Sequence, residues 1–229
     1  MAGQRVQHQR VDLVANNLAN ASTDGFRAQY AVASEHVMLR GGPSISMPRL
    51  AAALTDPRPG TLTTTGAPLD LAIDGPGFFL LALPGGGQAL SRAGHFVRSG
   101  DGTIAAPDGA RLLDAAGAPL AVPQGAAEVV LSADGALSAD GVPFGQIAVI
   151  GPSSAGPRLS GARFALQGVA EPIEGARLRQ GVLEGSNVQP VQALAELIDA
   201  SRRYEMIQSL LEEDDRRIRN VIETFSRQT

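Results

Sequence analysis

Residues 197–225 read LIDASRRYEMIQSLLEEDDRRIRNVIETF, and within them Leu197, Ala200, Tyr204, Ile207, Leu211, Asp214, Ile218, Val221 and Phe225 follow one another in steps of three and four. Such steps keep one stripe on one side of a helix, as the seam of a coiled coil requires. Off the stripe lie Glu212 and Arg216, Glu213 and Arg217, and Asp215 and Arg219. These acid-before-base pairs at i and i+4 mark a solvated outer face and add roughly 0.2–0.5 kcal/mol each. Asp214 falls on the stripe, a polar seam position of the kind that sets register at some loss of stability.

A continuous helix from Val188 to Phe225 would span ~60 Å at about 1.5 Å per residue. At the other end of the chain Val11, Val14, Leu18 and Ala21 repeat the same steps, and Asp24-Gly25 supplies a residue suited to left-handed helix closure. A first helix over Gln4 to Asn20 would reach only about 25 Å. The long seam therefore outreaches its intrachain partner, and its excess is expected to be buried against other copies or other subunits.

Between the two ends the pattern changes. From Thr61 to about Gly185 short apolar runs alternate with turn signals, among them Asp74-Gly75, Asp101-Gly102, Asp108-Gly109, Asp134-Gly135 and Asp140-Gly141, steps that tolerate the positive φ of hairpin turns. The runs predict strands over 69–73, 78–83, 90–97, 103–105, 111–113, 128–131, 144–150 and 163–167 in a compact antiparallel system. Gly75-Pro76-Gly77-Phe78-Phe79 has two glycines of a dinucleotide loop, but Leu80 stands where the third belongs, so it reads as a turn feeding a strand. The doubled Ser-Ala-Asp-Gly at 132–135 and 138–141 lacks the nine-residue period of calcium repeats and reads as two turns around Ala136 and Leu137. Residues 26–60 are low in charge and carry Gly41-Gly42-Pro43, Pro48, Pro57 and Pro59. They are expected to form an extended connector, with a helical turn or two over Ala31 to Arg40.

The resulting division is 1–25, an N-terminal helix; 26–60, the connector; 61–185, a β-rich domain; and 186–229, a C-terminal helix. The expected fold class is mainly β with terminal α-helices whose stripes could meet.

Composition narrows the function. A chain of 229 residues, 44% hydrophobic, can hold a substantial core, and no stretch approaches the ~18 apolar residues of a membrane span. The N-terminus shows no basic segment followed by an apolar run and a cleavage site, so ordinary signal-peptide secretion is not expected. A net charge of −4 and a pI of about 5.4 argue against nucleic acid or an anionic membrane as partner. All 19 cations are arginine and there is no cysteine, which removes Schiff-base, thiol and thiolate-metal chemistry. His8, His36 and His95 are far apart and without ligand spacing, and are expected to be surface or packing residues. No catalytic, cofactor-binding or metal site is predicted.

Three blocks carry a resemblance. VDLVANNLANASTDGF at 11–26, followed by Arg27, closely resembles the N-terminal signature of the bacterial flagellar rod and hook family. LDLAIDGPGFFLL at 69–81 with SRAGHF at 91–96 is similar to that family's strand block, Ser91 replacing a usual threonine. LEGSNVQPVQALAELIDASRRYE at 183–205 resembles its C-terminal signature. The resemblance implies a structural subunit exported unfolded by the flagellar type III apparatus and assembled helically with other rod subunits. Its terminal helices would pair as a coiled coil around the export channel with the β domain outside. Residues 61–185 are too few for the large outer domain of a hook protein, and the ending ASRRYEMIQ is more like a proximal than a distal rod subunit. Family members generally begin further upstream, so Met1 falls where the first helix is expected to be already under way.

The assembly interface is expected at Val11, Val14, Leu18, Ala21, Leu197, Tyr204, Ile207, Leu211, Ile218, Val221 and Phe225. Asn16, Asn17 and Asn20 offer amides to backbone groups near a helix end, and Ser186 and Asn187 are expected as N-cap residues ahead of Pro190. Two readings from other classes compete. One is a phage-tail or adhesin-like stalk presenting a β binding domain. The other is a β-rich hydrolase using Asp70 and Asp74, whose four-residue separation along a strand puts them ~13 Å apart, beyond the ~5–9.5 Å of paired catalytic carboxylates.

Overall fold

The computed structural model describes residues 2–38, 45–173 and 175–226. They form two compact units, one of residues 1–19, 28–56 and 188–229 and the other of residues 20–27 and 57–187.

The first unit contains α1 (Ala2–Ala19), β1 (Gln29–Met38), β2 (Ile45–Thr55) and α2 (Pro190–Ser226). Helix α2 opens on Pro190, a first-turn position where a missing N–H is no loss, and its first helical bond runs from the Ala193 N–H to the Gln189 carbonyl at 2.9 Å. Helix α1 packs on α2 and on both strands. The strands correct the connector expected over 26–60: it is an antiparallel hairpin, with Gln29 opposite Thr55 and Met38 opposite Ile45. No helical turn forms over 31–38, and residues 39 and 40 lie outside the described residues. Low charge and scattered prolines hid the hairpin. Pro48, opposite Glu35, is tolerated because each strand of a two-stranded ribbon has one unpaired edge. Packing against α1 supplies the apolar support that an isolated hairpin lacks.

The second unit is built from short antiparallel strands. They are β3 (Leu62–Thr64), β4 (Leu71–Asp74), β5 (Phe78–Ala82), β6 (Gln88–Ser91), β7 (Val97–Arg98), β8 (Ile104–Ala105) and β9 (Arg111–Leu112). There follow β10 (Val129–Leu131), β11 (Ala136–Ala139), β12 (Val142–Gln146), β13 (Val149–Ile150), β14 (Ala155–Ser160), β15 (Arg163–Leu166), β16 (Arg177–Gln180) and β17 (Val182–Glu184). The largest sheet runs β14-β15-β6-β5-β9-β8-β7, with β13 also on β5. Strands β10, β11 and β12 form a meander, and β16 and β17 return to pair with β4 and β3. These last two strands are not evident from sequence, because they are short and their partners lie more than a hundred residues upstream.

Three of the Asp-Gly turn signals share one structural cause. In 99–103, 106–110 and 132–136 the first residue's N–H donates to the fifth residue's carbonyl, and the N–H of the fourth, a glycine, donates back to the first. This five-residue loop needs positive φ at its fourth position, and Gly102, Gly109 and Gly135 have φ of 86°, 88° and 93°, the place for the glycine of each Asp-Gly step. Of the doubled Ser-Ala-Asp-Gly, the first forms such a loop ahead of β11, and the second ends in the two-residue turn Asp140-Gly141, with φ of 49° and 81°, that joins β11 to β12. The strands bury a main cluster of Leu71, Ile73, Phe79, Leu81, Phe96, Ile104, Leu112, Leu137 and their neighbours. A second cluster gathers Leu80, Leu90, Ile150 and Phe164.

Candidate functional site

The three signature blocks, scattered along the chain, meet inside the β unit around one buried carboxylate. Glu184 is 1% exposed. Its Oε2 accepts from Arg92 Nε at 2.8 Å and Nη2 at 2.6 Å. Its Oε1 accepts from Arg27 Nη2 at 2.7 Å and from the Gly60 N–H at 3.0 Å. Arg92 also donates to the carbonyls of Ile73, Gly75 and Gly77 at 2.8–2.9 Å. The Asp-Gly-Phe-Arg turn of the first block is held by main chain as well: the Gly25 N–H donates to the Glu184 carbonyl at 2.7 Å, and the Asn187 N–H to the Phe26 carbonyl at 3.2 Å. Phe26 is fully buried under the Arg158 guanidinium, 4.4 Å from its ring centre, with Phe164 at 4.8 Å. Burial pushes the Arg158 pKa down to about 10, which leaves it charged at neutral pH.

Close approach explains two glycines. Gly25 has φ of +65°, and a Cβ there would stand 2.3 Å from the backbone of Arg92 and Ala93; a Cβ on Gly94 would stand 1.6 Å from the Leu71 carbonyl oxygen.

Beside this junction, His95 Nδ1 lies 2.7 Å from Asp70 Oδ1, and Thr65 Oγ1 donates to Asp70 Oδ2 at 2.6 Å. The Asp24 carboxyl is pushed above the usual carboxylate range by burial, which outweighs the lowering by His95 and acts with the raising charge of Asp70. Asp70 is therefore engaged in fastening two loops, while Asp74 is exposed at the end of β4. They do not converge as an acid and base pair.

In the helical unit the expected stripe is divided. Val14 and Ala200 are buried, and Val11, Leu18, Leu197, Tyr204 and Ile207 are half-buried. His8 meets Tyr204 edge-on at 5.8 Å between ring centres and bonds Asp12 at 2.8 Å. Ile218, further along α2, is 58% exposed. The side chains of Leu211, Asp214, Val221 and Phe225, and that of His36, lie outside the described residues. Ala21 is a correction: α1 stops at Ala19, and Ala21 sits in the following turn, because the chain there bends to bring Gly25 and Phe26 into the β unit. A second apolar run, missed in the sequence, lies on α2: Val191, Leu194 and Ile198 are 84%, 49% and 46% exposed.

The Asn17 side chain bonds main chain on both sides of its amide. Its Nδ2 donates to the Gln29 carbonyl at 2.6 Å and its Oδ1 accepts from the Gln29 N–H at 2.9 Å, a two-sided clamp on the first residue of β1. Asn20 accepts from the Thr23 hydroxyl at 3.2 Å and its carbonyl accepts from the Thr23 N–H; Asn16 is exposed. Ser186 and Asn187 precede Pro190 by too much to cap α2. Instead the Asn187 amide donates to the Arg58 carbonyl at 2.8 Å. Among the described residues of α2, an acid-before-base ion pair forms between Asp199 and Arg203 at 3.6 Å, outside the expected charge run, whereas Arg219 donates to the main-chain carbonyl of Asp215.

Comparison with known proteins covers nearly the whole chain. The family model for the flagella basal body rod protein matches residues 1–27, that for the flagellar hook protein FlgE/F/G D1 domain residues 72–139, and that for the flagellar basal body rod FlgEFG protein C-terminal residues 179–223. The flagellar basal-body rod protein FlgF of Rhizobium meliloti is 31% identical over 98% of this chain and 95% of its own length. That of Escherichia coli is 34% identical over 90% and 87%. The flagellar basal-body rod protein FlgG of Caulobacter vibrioides is 31% identical over 90% and 89%.

Proposed function

Because this chain belongs to the bacterial flagellar rod and hook family and is a structural subunit of the basal-body rod, we propose that it occupies the proximal rod. There it assembles helically with other rod subunits around the export channel and transmits torque from motor to hook. It leaves the cell unfolded through the flagellar export apparatus, and the apolar surface that α2 leaves open in one copy is covered only as subunits assemble. It works by assembly.

The observation that carries this reading is the apolar surface of α2, on which Met206, Leu210 and Ile218 are each about 60% exposed. An apolar stripe left open in one copy is an assembly surface, since its burial against other subunits is favourable by ~25 cal/mol per Å². The proximal assignment is supported by relatives bearing the name FlgF, the proximal rod protein, along essentially the full chain, and by the ending Arg202-Arg203-Tyr204-Glu205-Met206.

Two experiments test it. Expression of this chain in a strain lacking its own FlgF should restore swimming, and in a strain lacking FlgG should not; the reverse pattern would assign the chain to the distal rod. Circular dichroism of the dilute monomer should show less helix than the assembled rod. Complete, cooperatively melting helix in the monomer would refute the coupling of folding to assembly, and a fixed trimer in solution would favour the stalk reading.

A further inference from the structure

We propose that the β unit carries a peptide-binding site for a glycine–phenylalanine turn, and that residues 20–27 fill it as a docked ligand rather than as part of the core.

Their place in the chain is the first indication. The segments on either side, 1–19 and 28–56, belong to the helical unit, so residues 20–27 enter the β unit as an eight-residue piece with no neighbour in sequence there. The apolar core is complete without them. Phe26 is fully buried, yet among the described residues both apolar clusters are built from positions between Leu69 and Leu178.

The turn brings its own shape. The Thr23 N–H donates to the Asn20 carbonyl at 3.1 Å and the Phe26 N–H to the Thr23 carbonyl at 3.2 Å, while the Thr23 hydroxyl donates to Asn20 Oδ1 at 3.2 Å. A ligand that is already folded back on itself loses little freedom on docking.

The walls of the site hold one another. Arg92 is anchored on the carbonyls of Ile73, Gly75 and Gly77 and bonded to Glu184, and β17, which carries Glu184, pairs with β3. Arg158 donates to the Gly161 carbonyl and lies over the Phe164 ring. None of these bonds uses residues 20–27. Each wall then takes one feature of the turn. The Glu184 carbonyl accepts from the Gly25 N–H, and the Asn187 N–H donates to the Phe26 carbonyl. Arg158 donates to the Arg27 carbonyl and covers the Phe26 ring. The main chain of Arg92 and Ala93 passes so near Gly25 that a Cβ would stand 2.3 Å from it. Three main-chain bonds fix the backbone, the cation favours an aromatic ring, and the close approach admits only glycine. Main-chain bonds for affinity with side-chain pockets for selection are how a folded surface recognises a peptide.

The test empties the site and refills it from outside. The full chain carrying Gly25→Ala and Phe26→Ala is titrated with the acetylated, amidated peptide of residues 20–27, Asn-Ala-Ser-Thr-Asp-Gly-Phe-Arg. The peptide should bind at a single site, and at ten times its dissociation constant it should raise the folding equilibrium constant about 11-fold in urea unfolding. The same peptide with Gly25→Ala should do neither. The unaltered chain should not bind the peptide, because its own tethered turn keeps the site filled. A folded double variant that ignores the peptide would overturn the proposal, and so would equal binding by the Gly25→Ala peptide or equal binding to the unaltered chain. Should the double variant not fold alone, refolding in the peptide becomes the readout: recovery of the native phenylalanine circular dichroism bands supports the site, and failure to recover them overturns it.

Discussion

Replacing Gly25 by alanine tests whether the N-terminal signature is held by backbone contact. The new Cβ has two handicaps. At φ of +65° it meets its own carbonyl, at a cost of roughly 1–2 kcal/mol. It also stands 2.3 Å from Arg92 C and Ala93 N, main-chain atoms fixed by the Arg92 bonds, so the turn must back away; overpacking of this kind costs about 1–3 kcal/mol. Backing away stretches the 2.7 Å bond from the Gly25 N–H to the Glu184 carbonyl, worth a further ~0.5–1.5 kcal/mol. The sum, roughly 3–6 kcal/mol, is a large part of the ~5–15 kcal/mol that holds a typical domain together. Two comparison variants separate the causes. Gly66 has φ of +76° with nothing within 4 Å of an added Cβ, and Gly94 offers a contact of 1.6 Å to the Leu71 oxygen without positive φ. Gly66→Ala should show only the conformational cost and Gly94→Ala only the steric one. Every phenylalanine but Phe225 lies in the β unit, so urea unfolding followed by the phenylalanine bands of near-ultraviolet circular dichroism reports on that unit. At an m-value near ~2 kcal/mol/M the midpoint for Gly25→Ala should fall by about 2 M. A Gly25→Ala variant no less stable than Gly66→Ala would refute the contact argument.

Asn17→Ala removes both bonds to the Gln29 backbone and should destabilise the helical unit by about 1–3 kcal/mol, read as faster amide exchange at Gln29 and along β1. Arg158→Met keeps the apolar stem and loses the charge over Phe26 and Phe164; a loss of about 1–2 kcal/mol is expected, with altered phenylalanine bands. Asp108 is held below the usual carboxylate range chiefly by its hydrogen bond from Arg163. Its contribution is therefore present above the ordinary carboxylate pKa and lost as pH falls through the lowered folded value. Asp108→Asn should reduce stability at pH 7 by no more than ~1 kcal/mol, since Asp108 is exposed, and the difference should vanish in acid; a deficit that persists there would point to a lost contact other than the ion pair.

The C-terminal stripe is legible in the amino-acid sequence because its period is a property of the helix itself. The Asp-Gly turns are legible for a similar reason: the φ demanded at the fourth loop position selects glycine locally. Asn17 is legible as an amide near a helix end, though not its partner Gln29. By contrast, the hairpin of β1 and β2 reads as a connector, since β2 carries Pro48, both strands carry few charges, and the stability of each comes from the other strand and from α1. Ser186 and Asn187 resemble helix caps on spacing alone, and Asn187 bonds the Phe26 and Arg58 carbonyls instead. Arg27, Arg92 and Glu184 each stand inside a recognisable block, but a lone charge in an apolar motif does not announce which distant charge it meets.

The sequence alone determined where the two terminal helices lie, where the Asp-Gly turns fall, part of the strand pattern and to which family the chain is similar. Those properties follow from the preferences of neighbouring residues within a few positions. The tertiary structure decided which residues share a unit, drawing 20–27 into the β unit and 28–56 to the helices, and which buried charge is neutralised by which. Burial and charge compensation are relations between residues some ninety or more positions apart, as Arg92 and Glu184 are, and only the folded chain sets those distances.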